Sequence, residues 1–374
     1  MKFSDVLATA GEWLRGDGPH PQIVISSRVR LARTLRNRPF PGWAKKAERS
    51  SILDLIRLRV EALPEMQESF SESLQDLSAL DRQVLVERHL ISREHAAKGA
   101  GSAVVVNRRQ TISIMINEED HLRMQSIRSG LQLKQAFKLV DKIDSALENK
   151  LDFAFDPRLG YLTACPTNVG TGMRASAMLH LPGLVLSELI NQVIQAVSKI
   201  GLAVRGLYGE GTEAMGNLFQ ISNQTTLGEK EEEIINRLSK VIETIIEKEH
   251  DARQMLVQKK PDTLCDQIGR AYGVLTFAHA MASKEALNLL SIIKLGMDLG
   301  AFPEDRRLPI DELFIETQPA HLQKSSQQKL NAEERDHLRA QIIRERLKLF
   351  PKPDISKMAR ESGNGSTAGP SNNE

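Results

Sequence analysis

Cysteine is almost missing from this sequence: among 374 residues only Cys165 and Cys265 occur, far apart in the chain. Two thiols cannot build a disulfide framework or a cysteine-rich zinc site, and they suit a reducing compartment. Net charge is nearly absent too, at +2, which gives no sign of a nucleic-acid or membrane specialist and makes any basic site a local one. No stretch approaches the roughly 20 apolar residues of a membrane helix. The start, MKFSDVLATAGEWLRGDG, lacks the charged opening and continuous apolar core of a signal peptide. The expectation is a cytoplasmic protein without direct membrane or nucleic-acid partners.

What is present is an ordinary globular composition, 41% hydrophobic and 26% charged, on a chain long enough for one large domain and a smaller one. Phe3, Val6, Leu7, Trp13 and Leu14 recur at near-helical spacing and predict a short opening helix, ended by Gly16-Asp17-Gly18-Pro19. Ile23, Ile25, Val29 and Leu31 fall on a period of two, which predicts a strand with Arg28 and Arg30 on its other face. Residues 50–80 read as helical. Ala103–Val106 and Ile112–Ile116 read as strands joined by a turn at Asn107-Arg108-Arg109-Gln110. Further helices are expected at 130–148, 186–199 and 229–258, the last with an apolar stripe from Ile234 to Ile246. The fold class expected is α+β, an antiparallel sheet flanked by helices, spanning residues 1–258. After the break at Lys259-Lys260-Pro261-Asp262 a helical domain is expected over 259–352, followed by a disordered tail at 353–374 rich in Gly, Ser and Asn.

Four islands combine charge with glycine or strand ends. Ser26-Ser27-Arg28-Val29-Arg30 aims two guanidinium groups one way, and such a pair suits phosphate because each offers a rigid fork of donors. A solvated edge-strand face is the plainer alternative. Asn117-Glu118-Glu119-Asp120-His121-Leu122-Arg123 puts acids directly after an apolar strand, where a carboxylate can clamp a guanidinium and accept a proton. The plainer alternative there is an acidic loop ion-paired to Arg123. Cys165-Pro166-Thr167-Asn168-Val169-Gly170-Thr171-Gly172-Met173-Arg174-Ala175-Ser176 joins a lone cysteine to glycines that permit close backbone approach; an inert cysteine beside a turn is the alternative. Arg205-Gly206-Leu207-Tyr208-Gly209-Glu210-Gly211 places an arginine and an acid in a glycine-rich loop. No Walker motif or protein-kinase glycine loop accompanies them.

In this order the islands resemble the signature of the phosphagen (guanidino) kinases, with the Cys-Pro-Thr-Asn-x-Gly-Thr-Gly-x-Arg-Ala-Ser run the most specific part. The bacterial protein arginine kinase branch is the nearest in character. The first arginine motif begins at residue 26, which leaves no space for the N-terminal helical domain that closes over small guanidino substrates. Gln220 stands where those enzymes usually carry an acid near the nucleotide, and a helical segment follows residue 260.

The resemblance implies ATP as phosphoryl donor with Mg2+ bound through it, and no metal site of the protein's own. It implies Arg28, Arg30, Arg123, Arg174 and Arg205 as phosphate-binding arginines. Ser26, Ser27, Val29, His89, Ala175, Ser176, Ala177, Met178, Gly206, Leu207, Tyr208 and Gly209 become further nucleotide contacts. Glu119 and Glu210 become the substrate-clamping carboxylates, Glu119 the preferred base, with Cys165 beside the guanidinium. In the helical segment Arg335, Asp336, Arg339 and Ala340 match the allosteric phosphoarginine-pocket motif of that branch. A solvated helix with intrahelical ion pairs is the plainer reading of the same residues. The implied partners are arginine-bearing protein substrates, an activator protein, a heat-shock transcription repressor and a Clp unfoldase-protease, in a bacterial stress response, with a homodimer formed through the helical segment. Two other activities stay open on sequence: a kinase of free arginine or another small guanidino compound, and a non-catalytic phosphoarginine-binding adaptor.

Overall fold

The computed structural model describes residues 1–206, 215–303, 306–326 and 328–358. The strands are β1 (Val24–Arg33), β2 (Phe70–Ser73), β3 (Ala103–Val106), β4 (Ile112–Ile116), β5 (Leu122–Ser129), β6 (Phe155–Asp156), β7 (Gly160–Tyr161), β8 (Met173–His180), β9 (Leu202–Arg205) and β10 (Leu218–Asn223). Eight of them form one antiparallel sheet in the order β2-β3-β4-β5-β1-β8-β10-β9, while β6 and β7 form a small hairpin. The helices of the same half are α1 (Phe3–Ala8), α2 (Lys46–Glu61), α3 (Ala79–Glu87), α4 (Arg93–Ala96), α5 (Leu133–Glu148), α6 (Pro182–Leu186), α7 (Ile190–Lys199) and α8 (Glu231–Lys259). The chain is α+β, as expected.

One face of the sheet is dry. Val29, Leu31, Ile114, Met124, Ala175 and Ile221 pack there against Ile56 of α2, Ile143 of α5 and Ile242 of α8, because alternate residues of each strand point the same way. Among the described residues the other face is covered at its two edges and, over Ile127 of β5, by Trp13 and Leu14. Val104, Val106 and Met115 meet Leu85 of α3 at one end. At the other, Met178 and Leu218 join the core of the helices that follow residue 260. The uncovered middle is where the candidate site lies.

Those later helices are α9 (Pro261–Phe277), α10 (Ser283–Asp298), α11 (Arg307–Glu316), α12 (Pro319–Ser325), α13 (Ala332–Leu347) and α14 (Ile355–Met358). Gly216 lets α10 and α11 approach the sheet: its φ is +63°, and a Cβ there would lie 3.0 Å from the Leu287 carbonyl oxygen. On the far side α12 is latched to α3. Glu87 accepts hydrogen bonds from the backbone N–H of Ala320 at 2.8 Å and of His321 at 3.0 Å, and contacts the His321 ring at 2.7 Å.

Four expectations need correction. Residues 50–80 are not one helical stretch: α2 ends at Glu61 and β2 follows at Phe70–Ser73. Phe-Ser-Glu-Ser is short and polar, as an edge strand can be, and gives no periodic signal. The expected opening helix is split into α1 and a 3-10 turn at Glu12–Leu14. Ile25 does not share the face of Val29 and Leu31. A bulge between Val24 and Ser26 shifts the register, and Ile25 turns toward the same side as Arg28, since one extra residue reverses the alternation. The tail expected from residue 353 does not start there: α14 covers Ile355–Met358 and Met358 is buried in the helical core, which takes the ordered chain past the Pro- and Lys-containing break that suggested the boundary; residues beyond 358 lie outside the described ones.

Candidate active site

Five arginines reach the open middle of the sheet from four strands. Arg28 and Arg30 stand on β1, Arg123 on β5, Arg174 on β8 and Arg205 on β9, and all five line one cleft of about 1350 Å³ together with His89, Glu118, Glu119, Cys165 and Gln220. The pairing register explains the crowding, because Arg30 faces Arg174 directly across β1 and β8. Like charges so opposed destabilise a sheet unless an anion joins them. Burial, then the charge of Arg123, pulls the Arg28 guanidinium down to about 10. Burial and the neighbouring Arg28, Arg123 and Arg174 push Arg30 well below its ordinary value too. The cradle therefore gains from any bound polyanion.

Arg28 and Arg123 are oriented by neighbouring side chains. Arg28 donates to the Gln220 side-chain oxygen at 2.7 Å, so a neutral amide orients the guanidinium without cancelling its charge. Arg123 is held at 2.6 Å by both oxygens of Glu118, which also accepts from the Ser92 hydroxyl. The ion pair weighed from the sequence thus forms, through Glu118. Against the cost of burial, the Arg123 charge and these bonds hold the Glu118 carboxyl below its ordinary value.

Glu119, the next residue, behaves in the opposite way. It is exposed on the cleft rim, and burial of part of its surface, then the Glu118 charge beside it, raises its carboxyl. A carboxylate so raised is a better proton acceptor than an ordinary one. The turn that carries it is tightly made. Asn117 takes φ +57° and donates from its side chain to the Arg49 and Gly101 carbonyls.

Asp120 fixes the cysteine loop to this turn. One of its oxygens accepts from Thr34 Oγ1 and from the Ala164 backbone N–H, each at 2.7 Å. Cys165, half-buried, is thereby presented to the cleft, with Sγ 3.0 Å from Thr167 Oγ1. The glycines that follow approach the chain's own backbone: a Cβ on Gly170 would lie 2.2 Å from the Thr226 carbonyl oxygen, and one on Gly172 2.6 Å from that of Ala32. Their freedom closes the loop onto the sheet.

His89 takes φ +58° and stacks edge-on to Trp13 at 5.4 Å. Burial, with Arg28 nearby, lowers its ring to about 3, so it is neutral at ordinary pH. Ser26, Ser176 and Met178 line a second chamber that opens beside Arg28, His89 and Gln220, whereas Ser27, Val29, Ala175 and Ala177 are buried strand residues. Ser27 donates to the Gly130 carbonyl. Gly206 follows β9, and Leu207, Tyr208, Gly209 and Glu210 lie outside the described residues. Among the described residues no group of three or more His, Cys, Asp or Glu could hold a metal ion.

The sequence reading did not pick out Glu118, Asp120 or Trp13 as functional. The acidic run was visible, but which acid pairs with Arg123 depends on the turn geometry. In the helical half, Arg335 donates to the Leu330 carbonyl at 2.8 Å. Arg339, 2% exposed, donates to the Thr317 carbonyl at 2.9 Å, the Met281 carbonyl at 2.7 Å and the Asp336 carboxylate. Ala340 is buried beside it.

Comparisons with known proteins give the family. Residues 52–252 match the family model described as the ATP:guanido phosphotransferase C-terminal catalytic domain, and residues 261–358 match the protein-arginine kinase McsB C-terminal domain. Among solved structures, the duplicated taurocyamine kinase of Schistosoma mansoni superposes with TM-score 0.56 at 28% identity, over 64% of this chain and 35% of that one. A lombricine kinase gives TM-score 0.55 at 26% identity, over 65% of this chain and 71% of that one. The chain belongs to the ATP:guanido phosphotransferase family, and its antiparallel sheet is the guanidino-kinase fold.

Curated relatives narrow the class. The protein-arginine kinase of Moorella thermoacetica is 48% identical over 90% of this chain and 97% of its own length, and that of Halothermothrix orenii is 47% identical over 93% and 100%. Within the family, then, this chain stands with the protein-arginine kinases, and it is a kinase.

Proposed function

We propose that the chain transfers the terminal phosphoryl group of ATP to the guanidinium of an arginine side chain in another polypeptide. The observation that carries this is the shared cleft: five arginines converge on it, and Glu119 and Cys165 stand on the same walls. Phosphoryl transfer asks little covalent help of a protein, since positioning and charge neutralisation supply most of the catalysis. In this reading Arg28, Arg30, Arg123, Arg174 and Arg205 hold the phosphates. Mg2+ is carried by the phosphates of ATP and supplies further neutralisation there.

The acceptor guanidinium is a poor nucleophile while protonated, with a pKa above about 12. Glu119 grips it through paired hydrogen bonds and takes its proton as the nitrogen attacks the γ-phosphorus and the bond to the β–γ bridging oxygen breaks. Cys165 lies alongside, held by the Asp120-anchored loop. Glu210, the second clamping carboxylate of the sequence reading, lies outside the described residues.

The deciding experiment incubates the protein with ATP, Mg2+ and an unfolded model protein, with free arginine in a parallel reaction. Acid-labile phosphate on arginine residues is expected. Label confined to hydroxyl side chains, or phosphorylation of free arginine alone, would defeat the proposal. The resemblance to the protein arginine kinases extends the reading further, to cytoplasmic tagging of substrates for a Clp unfoldase-protease during stress, an activator and a transcription repressor as partners, and a homodimer. It also extends to product sensing through Arg335, Asp336, Arg339 and Ala340. Sensing would require Arg339 to exchange its present backbone partners for the phosphate.

A further inference from the structure

Phe155, Leu159 and Leu227 stand 47%, 44% and 54% exposed, and all three belong to segments fastened to the cysteine loop. Phe155 and Leu159 lie on the hairpin of β6 and β7, which pairs with that loop. The Tyr161 N–H donates to the Gly170 carbonyl at 2.8 Å, and the Gly170 N–H donates back at 3.3 Å. A Cβ on Gly160 would lie 2.5 Å from the same Gly170 oxygen, and one on Gly170 would lie 2.9 Å from the Cα of Leu227. Thr226, beside Leu227, bonds through its hydroxyl to the carbonyls of Thr167 at 2.9 Å and Val169 at 2.7 Å. The three apolar residues therefore gather about Gly170.

Their exposure is not looseness. The Phe155 ring meets that of Tyr161 edge-on at 5.2 Å. Tyr161 is itself fixed, with the Arg33 guanidinium 3.5 Å from its ring centre and its hydroxyl donating to Glu148 at 3.0 Å. The Asp156 carboxylate accepts from the backbone N–H of Arg158 and of Leu159, which sets the turn that carries Leu159. Apolar groups held in place before a ligand arrives lose little freedom on binding it.

The loop to which they are fastened is a wall of the arginine cleft, lined there by Cys165, Thr167 and Asn168. Gly170 follows Cys165 by five residues, so at most about 18 Å of chain separates them. An extended polypeptide covers that span in about five or six residues. A polypeptide whose arginine enters the cleft leaves it across the rim in both chain directions, and the apolar patch, continuous with the wall, lies within reach of one of them.

We propose that Phe155, Leu159 and Leu227 form a docking patch for the substrate polypeptide, and that the patch takes a large apolar side chain placed within about six residues of the target arginine. Leucine, isoleucine and phenylalanine fit this description. The patch supplies sequence context, where the cleft itself reads only a guanidinium. The proposal rests on the reading of the cleft as the place where another chain's arginine is phosphorylated.

Kinetics on peptides with a single arginine in a Gly/Ser/Asn scaffold test it. A Leu-Phe pair is placed about five residues before the arginine, about five after it, or about twelve away. In the wild type one of the two near placements should lower KM by about tenfold relative to the pair-free peptide, the effect of partly burying two large apolar side chains, with kcat little changed. The distant pair should bring at most a small part of that gain. In the double variant Leu159→Ser, Leu227→Ser the gain should vanish, while KM for the pair-free peptide stays as in the wild type. A wild-type KM that ignores the pair or its position overturns the proposal, and so does a gain that survives in the double variant. A rise in KM shared by every peptide shows that these residues merely hold the cysteine loop. Altered sedimentation of the variant with unaltered peptide KM assigns the patch to a second copy of this chain. Either result overturns the proposal. Absence of phosphoarginine on every peptide defeats the reading of the cleft itself, and the docking patch with it.

Discussion

At the scale of single residues, neighbouring carboxylates have been given opposite tasks by their surroundings. Glu118 is buried and neutralised by Arg123, while Glu119 stands at the rim with its carboxyl raised by partial burial and by Glu118. Glu119→Gln keeps the shape and removes the proposed base. In the proposed reaction kcat should fall by about 10²–10⁴, with ATP affinity unchanged. Activity of the wild type should drop as pH falls through an inflection above the ordinary glutamate value of about 4.3, because protonated Glu119 cannot accept. The same inflection should be missing from the residual activity of Glu119→Gln; its persistence there would assign the base elsewhere.

At the scale of elements, the acidic turn between β4 and β5 organises its neighbours. Asp120→Ala removes the acceptor that ties Ala164 to Thr34. It should cost about 1–3 kcal/mol of stability, the usual penalty for leaving buried donors unmade. Cys165 should then be alkylated faster than in the wild type, with Cys265 as internal control; an unchanged ratio would mean that the loop holds itself.

His121, fully buried, accepts from the Leu35 N–H and bonds the Pro39 carbonyl. Burial is the main reason its ring is lowered from 6.5 to about 4. The unfolded chain therefore binds a proton that the folded one refuses, so stability present above about 6.5 is lost as pH falls toward 4. Each pKa unit corresponds to about 1.4 kcal/mol, which makes the effect on the order of a few kcal/mol for a group so buried. Denaturation midpoints of wild type and His121→Gln should converge across that window. Parallel curves would show that His121 keeps its proton affinity on folding.

At the scale of the whole molecule, the sheet and the later helices share surfaces. Met178 and Leu218 of the sheet belong to the core of the helical half, and Glu87 latches α12 to α3. Arg88 donates to Nε2 of the same His321 ring, which leaves Nδ1 to donate to Glu87. Glu87→Ala strands two backbone donors and this ring. Calorimetry should show a lower-melting transition separating from the main one, whereas a single undivided transition would mean that the apolar contacts alone couple the halves.

Much of the site was legible before any coordinates, because strand period and glycine-flanked islands are local patterns. Alternation along β1 placed Arg28 and Arg30 together, and the apolar run of β4 announced the acidic turn that ends it. The hairpin turn at Asn107–Gln110 was equally plain. Long-range relations were not. That Arg30 faces Arg174 and that a bulge turns Ile25 toward the side of Arg28 follow from strand register, while the pairing of Arg123 with Glu118 rather than Glu119 follows from the turn geometry. Register is set by pairing between segments far apart in the chain. The gathering of Leu159 and Leu227 about Gly170 was equally hidden, since nothing near Leu227 in sequence refers to the hairpin of β6 and β7. Residue order determined the chemistry available; only packing across the sheet decided which of those groups share a cavity, because burial and charge act through space and not along the chain.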